Sequence, residues 1–174
     1  MNSIIIYGSN YGTTQCYAEK LSRMTGIPLI NYKEIKDLSP YDRVIHFGGL
    51  YAGGVKGLKQ TVKALPKKAK LFIVTVGLAD VTDRENTDNI KQSVKRQVTD
   101  EIFDRAEIFH LRGGIDYKKL NFKHKTMMTL LYNKAKNLPE EKKTADVKAM
   151  IETFNKQVDF IDFTSLNQIL ELLK

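Results

Sequence analysis

The stretch Gly8-Ser9-Asn10-Tyr11-Gly12-Thr13-Thr14 gathers small residues and hydroxyls between an apolar run, Ser3-Ile4-Ile5-Ile6-Tyr7, and a helical stripe of Tyr17, Ala18, Leu21 and Met24. A loop that joins a strand to a helix exposes backbone N–H groups at the helix N-terminus, where the helix dipole favours an anion. With the hydroxyls of Ser9, Thr13 and Thr14 as further donors, the chemistry suits a phosphate. A plainer reading stands beside it: Ser9 or Thr13 simply caps the helix. No Lys or Arg lies between Met1 and Glu19, so a phosphate site in this loop is built from neutral donors. That separates it from a Walker A loop, which needs Gly-Lys-Ser/Thr, and from the Rossmann loop, whose third glycine is absent. A receiver domain wants acidic residues after its first strand and an Asp ending its third; this chain has Gly8-Ser9 and Gly48-Gly49 there.

The elements that must position such a loop follow from hydrophobic periodicity. Apolar, β-branched runs predict strands at 3–7, 29–32, 43–47, 70–76 and 106–111, the later ones ended by Gly48-Gly49, Gly77 and Gly113-Gly114. Helical stripes fall between and after them: Val55, Leu58, Val62 and Leu65; Ile90, Val94, Val98 and Ile102 in one longer helix; Val147, Met150, Ile151, Phe154 and Val158; and Leu166, Ile169, Leu170 and Leu173. Strand alternating with helix implies a parallel sheet covered on both faces and joined by right-handed crossovers. The expected fold is therefore an α/β doubly wound five-stranded sheet of order 2-1-3-4-5, one domain over residues 1–174, with ligands bound beyond the carboxyl ends of the strands. His46 and His110 fall inside strands and read as hydrogen-bonded core residues; no Ser-His-Asp order or metal-ligand spacing stands out, and no metal is expected.

Composition narrows the partners. The chain of 174 residues has one cysteine, Cys16, and no apolar run near the roughly 20 residues of a membrane span, which suits a reducing, cytoplasmic setting. The net charge of +8 favours anionic partners and is unevenly spread. Between Tyr117 and Pro139 there is no Asp or Glu, while Lys118, Lys119, Lys123, Lys125, Lys134 and Lys136 all fall there. Leu120, Met127, Met128, Leu131, Ala135 and Leu138 keep helical spacing within this stretch, so residues 115–139 read as a basic amphipathic insertion. Either it packs on the domain with a solvated lysine face, or Lys118, Lys119, Lys123 and Lys125 draw in an anionic membrane surface or an acidic, tetrapyrrole-carboxylate substrate. Nucleic acid is not expected, because no stacking platform or groove-reading motif accompanies the charge.

The segment from Tyr7 to Thr14, followed by Ala18-Glu19, resembles the FMN-phosphate loop of flavodoxins. The resemblance implies a flavodoxin-like fold with FMN as cofactor, its phosphate held by Ser9, Asn10, Tyr11, Gly12, Thr13 and Thr14. It also implies that two further loops flank the flavin ring. Their counterparts here are Gly49-Leu50-Tyr51-Ala52-Gly53-Gly54 and Val76-Gly77-Leu78-Ala79-Asp80, which puts Leu50, Tyr51, Ala52, Gly53, Gly77, Leu78, Ala79 and Asp80 at the ring. The residues themselves also allow Tyr51 as an exposed loop aromatic and Asp80 as the start of the next helix. From Gly113 through Met128 the chain is similar to the insertion that marks the menaquinone-dependent protoporphyrinogen IX dehydrogenase branch, which also shares the piece Val158-Asp159-Phe160-Ile161-Asp162 before a final helix. It departs from that branch at Asp116, Leu120 and Asn121. What the resemblance implies is an FMN-dependent oxidoreductase or electron carrier working with a redox partner protein. The alternative it implies is a protoporphyrinogen IX dehydrogenase passing electrons to a quinone, peripheral on the inner face of a membrane. A basic chain does not suit the docking mode of an acidic electron shuttle. A flavin-free interaction domain on the same fold is the remaining expectation.

Overall fold

Continuous β-branched segments flanked by glycine make strands that can be buried on both faces. A computed structural model describes residues 1–51 and 53–174. The strands are β1 (Ser3–Gly8), β2 (Leu29–Asn31), β3 (Arg43–Tyr51), β4 (Gly54–Val55), β5 (Lys70–Gly77), β6 (Glu107–Arg112), β7 (Gly114–Asp116) and β8 (Gln157–Asp159). The α-helices are α1 (Thr13–Thr25), α2 (Leu58–Ala64), α3 (Arg84–Lys95), α4 (Asp100–Arg105), α5 (Phe122–Ala135), α6 (Ala145–Thr153) and α7 (Asn167–Leu173). The main sheet has the order β2-β1-β3-β5-β6. Its strand pairs are all parallel, with Ile5 opposite both Leu29 and Ile45. This is the doubly wound order expected from the sequence. Two short antiparallel pairings add to it: β4 folds back on the end of β3, and β7 pairs with β8 apart from the sheet.

Alternation along β1 sends Ile5 to one face and Ile4 and Ile6 to the other. On the first face Ile5, Ile45, Phe47, Phe72 and Val74 pack against Tyr17, Ala18 and Leu21 of α1 and against Leu166 and Ile169 near α7. On the second, Ile4, Ile6, Val44, Leu71 and Ile73 pack against Leu58 of α2 and Val94 of α3. Tyr17 also ties elements together, since its hydroxyl donates to the Arg112 carbonyl at 2.8 Å and accepts from the Asp162 N–H at 2.9 Å. A third, smaller cluster of Ile115, Tyr117, Leu120 and Met128 lies outside the sheet, joined by Tyr11, Leu78, Met150 and Phe154.

Several boundaries differ from the sequence expectation. The stripe through Ile90, Val94, Val98 and Ile102 is two helices, because Thr99 accepts from the Ile102 N–H and so starts α4 afresh. Val55 belongs to β4 and not to α2, where it closes on Leu50. The last periodic stripe also ends early: α6 stops at Thr153, Asn155 takes a positive φ of 58°, and Val158 joins β8. In α5 the apolar stripe turns inward only in part, with Met128 and Ala135 buried but Leu131 42% exposed. Among the described residues no helix is long and apolar enough to cross a membrane.

Candidate functional site

A cavity of about 440 Å³ opens beyond the carboxyl ends of β1, β3 and β5, within the size range of small-molecule and cofactor sites. Asn10, Tyr11, Thr13 and Thr14 line it from the first loop, Leu50, Tyr51 and Gly53 from the second, and Gly77 and Leu78 from the third. The loops singled out in the sequence thus converge on one space. Ser9, Gly12, Ala79 and Asp80 do not line it, and Ala52 lies outside the described residues.

The first loop delivers an open helix end. Gly12 holds the N-cap position of α1 with φ 91°, a left-handed conformation that favours glycine, and no side chain caps the helix. Ser9 serves the loop instead, its hydroxyl accepting from the Gly12 N–H at 3.0 Å. The leading N–H groups of a helix have no intrahelical carbonyl to donate to, so those of Thr13, Thr14 and Gln15 remain for an anion. The capping alternative for Ser9 and Thr13 is thereby corrected: neither hydroxyl caps α1.

A positive charge does stand beside the loop, supplied from elsewhere in the chain. Lys56, just after β4, reaches the loop and donates from Nζ to the Asn10 side-chain oxygen. Partial burial, with Lys33 nearby, lowers the pKa of this ammonium. Its backbone is equally close, because a Cβ at Gly8 would collide with the Lys56 carbonyl. His46 fixes that carbonyl from below, with Nε2 3.0 Å from the Lys56 oxygen and Nδ1 2.9 Å from the Thr61 hydroxyl. Burial drives the His46 pKa down to about 4, which keeps the ring neutral. His110 is held by Thr75 at 2.7 Å and is likewise pushed down to about 4, first by burial and then by Lys91. Both histidines are hydrogen-bonded within the sheet, His46 fully buried and His110 half-buried.

Helix α3 and Gln97 just beyond its end hold the second and third loops in place, a role the sequence did not signal. Ser93 donates to the Gly53 carbonyl, Gln97 accepts from the Val55 N–H at 3.2 Å, and Asn86 donates to the Asp80 carbonyl at 2.6 Å. Arg112 donates to the Leu78 carbonyl at 2.9 Å while its guanidinium stacks 3.8 Å from the Phe160 ring. Asp80 is turned away from the cavity: its carboxylate accepts from the N–H and hydroxyl of Thr82, both at 2.8 Å, and those bonds lower its pKa. It does not start the following helix either, for Asp83 is the N-cap of α3.

Helices α5 and α6 roof the space with Met127, Met128, Leu131 and Met150, and Arg96 and Asp146 also line it. The roof is tied to the floor through Tyr51, whose hydroxyl donates to the Met127 sulfur at 2.7 Å and whose ring lies 6.1 Å from His124. Tyr11 meets His124 edge-on at 5.6 Å. Its hydroxyl is buried with no hydrogen-bond partner among the described residues, and burial, reinforced by Tyr51 and Tyr117, pushes its pKa up to about 12. Tyr51 is therefore packed at the site and is not an exposed loop aromatic. Lys118, Lys119, Lys123 and Lys125 are all solvent-exposed and none lines the cavity.

An open helix end, three loops at one sheet edge and a donor hydroxyl lacking an acceptor fit a flat ligand that carries a phosphate. Residues 4–142 match a family model described as a flavodoxin domain. A comparison with curated proteins returns no match.

Proposed function

Because the chain belongs to the flavodoxin domain family, we propose that it binds FMN in the cavity above β1, β3 and β5 and uses it to accept and pass electrons. The observation that carries this reading is the uncapped N-terminus of α1 opening into the cavity. Thr13, Thr14 and the first N–H groups of α1 would hold the phosphate, with Lys56 beside them through Asn10. Leu50, Tyr51, Gly77 and Leu78 would enclose the ring. When bound, FMN supplies the redox chemistry itself; the chain's part is to bind, orient and exclude water. The purified chain incubated with FMN and then desalted should keep flavin absorbance in the visible range. It should also bind riboflavin, which lacks the phosphate, at least tenfold more weakly. A colourless protein after desalting sinks the reading and leaves the flavin-free interaction domain.

Within that reading we infer the finer assignment of a protoporphyrinogen IX dehydrogenase with a quinone as acceptor. It is supported by the roof, since a methionine-lined apolar ceiling adapts to flat hydrophobic molecules. In this assignment Lys118, Lys119, Lys123 and Lys125 attract the substrate carboxylates from outside. Protoporphyrinogen should reduce the bound flavin faster than NADH does, and changing those four lysines to Glu should slow the former. Equal, lysine-independent rates would count against the assignment.

A further inference from the structure

Electrons are only half of what leaves a substrate in a dehydrogenation. In each two-electron step on a porphyrinogen a bridge C–H bond breaks, and its electron pair departs with the hydrogen as hydride to the flavin. A pyrrole N–H bond gives up a proton, and one new double bond forms in the ring system. That proton needs an acceptor of its own, held by the walls of the cavity. Most of the walls cannot take it. The roof is thioether and hydrocarbon, from Met127, Met128, Leu131 and Met150. Phenols and guanidinium groups hold their protons at neutral pH, and burial pushes Tyr11 further that way. The other bases face elsewhere: His124 packs on Tyr11 and Tyr51 without lining the cavity, His46 and His110 are held by Thr61 and Thr75, and Lys56 is bonded to Asn10.

We propose that Asp146 is the catalytic base of this cavity, its carboxylate taking the substrate N–H proton as the C–H hydrogen leaves. Among the described residues it is the one carboxylate that lines the space. It stands in the first turn of α6, and Met150, four residues on, lines the same space, so the two share one face of the helix. A substrate lying under the methionine roof would meet the carboxylate from that face. The helix end does not use Asp146, because Thr144 is the N-cap and accepts from the Val147 N–H at 3.4 Å. Arg96 lines the same cavity, yet no ion pair ties Asp146 among the described residues. A paired carboxylate resists protonation; this one is solvent-accessible but recessed, and burial raises its pKa. The inference rests on the dehydrogenase assignment above and adds to it the group that receives the proton.

The test loads the full chain with FMN and mixes it anaerobically with protoporphyrinogen IX, following the loss of flavin absorbance by stopped flow. Removing a general base costs roughly 10²- to 10⁴-fold in rate. Asp146→Asn should therefore slow flavin reduction about a hundredfold or more, with FMN affinity and the thermal melt unchanged. Asp146→Glu keeps a carboxylate and should be about tenfold faster than Asp146→Asn or better. A second measurement needs no turnover: in the chain labelled with carboxyl-13C aspartate, protoporphyrin IX, the stable product, should shift the Asp146 resonance, which is assigned by its absence from Asp146→Asn. Flavin reduction in Asp146→Asn as fast as in the unaltered chain, no recovery with Glu, or a resonance that protoporphyrin leaves unmoved overturns the proposal alone. An unaltered chain that keeps no FMN, or whose FMN protoporphyrinogen does not reduce, overturns the assignment beneath it and the proposal with it.

Discussion

Replacing Tyr11 by Phe removes one oxygen, and the structure gives that oxygen opposite values in the free and loaded protein. The Tyr11 hydroxyl is buried, finds no acceptor among the described residues and has its pKa raised to about 12. An unsatisfied buried donor costs about 1–3 kcal/mol, so Tyr11→Phe should leave the free chain as stable as before or stabilise it by about 1 kcal/mol. Tyr11 also lines the cavity. If bound FMN supplies the missing acceptor, a net hydrogen bond of about 0.5–1.5 kcal/mol is lost on substitution. At 1.4 kcal/mol per factor of ten, the dissociation constant for FMN rises about twofold to tenfold. Urea denaturation of the free chain and quenching of FMN fluorescence on titration measure the two effects separately. Destabilisation of the free chain would mean that the hydroxyl has a protein partner. An unchanged FMN affinity would mean that it meets nothing in the loaded state. Either result refutes the reasoning, and neither depends on enzymatic turnover.

Gly8→Ala places a methyl group against the Lys56 carbonyl, backbone that can yield only by moving; the overpacking should cost about 1–3 kcal/mol by chemical denaturation and weaken FMN binding through the displaced Lys56. His46 is neutral when folded because its pKa falls from 6.5 to about 4. The unfolded chain therefore takes up a proton first as the pH drops, so this stability is complete above pH 6.5 and is lost between pH 6.5 and 4. The loss should reach about 2 kcal/mol at about pH 5 relative to about pH 7.5, with His110 adding in the same direction, and a flat urea midpoint across that range would contradict it. Thr99→Ala removes the side-chain acceptor that starts α4 and should destabilise the chain by about 1 kcal/mol, read as a lowered thermal midpoint.

The sheet was legible because its signals are local. Ile4, Ile5 and Ile6 are apolar in succession, and that is how a strand buried on both faces reads. Phe72 to Val76 in β5 repeat the pattern. Helix boundaries were less legible where apolar spacing runs through a break. Val94, Val98 and Ile102 keep period over a true interruption, since Val98 and Ile102 pack on the same cluster as Val94 although α3 ends at Lys95. Periodicity records which face is buried, and two short helices packed on one cluster keep the same apolar spacing as one long helix. The cap at Thr99 is the signal that divides them, and a single threonine is weak against a continuous stripe.

The site was legible in its floor and not in its supports, and the reason is sequence separation. The loop after β1 announces itself because its donors are contiguous, whereas Lys56 joins Asn10 across 46 residues and Gln97 joins Val55 across 42. Nothing in the local composition marks Lys56 as a neighbour of Gly8. Only the fold-back of β4 onto β3 brings it there, and that turn is fixed by Leu50 pairing with Val55, a residue whose spacing had suggested α2. The absence of Lys and Arg from the first loop therefore constrains the loop and says nothing about the charge beside it. A phosphate held at α1 would sit among neutral donors with one partly desolvated ammonium close by. In such a medium a single positive charge acts more strongly than it would in water. Lys56→Met should accordingly weaken FMN more than riboflavin, and a loss equal for both ligands would show that Lys56 supports the loop without acting on the phosphate.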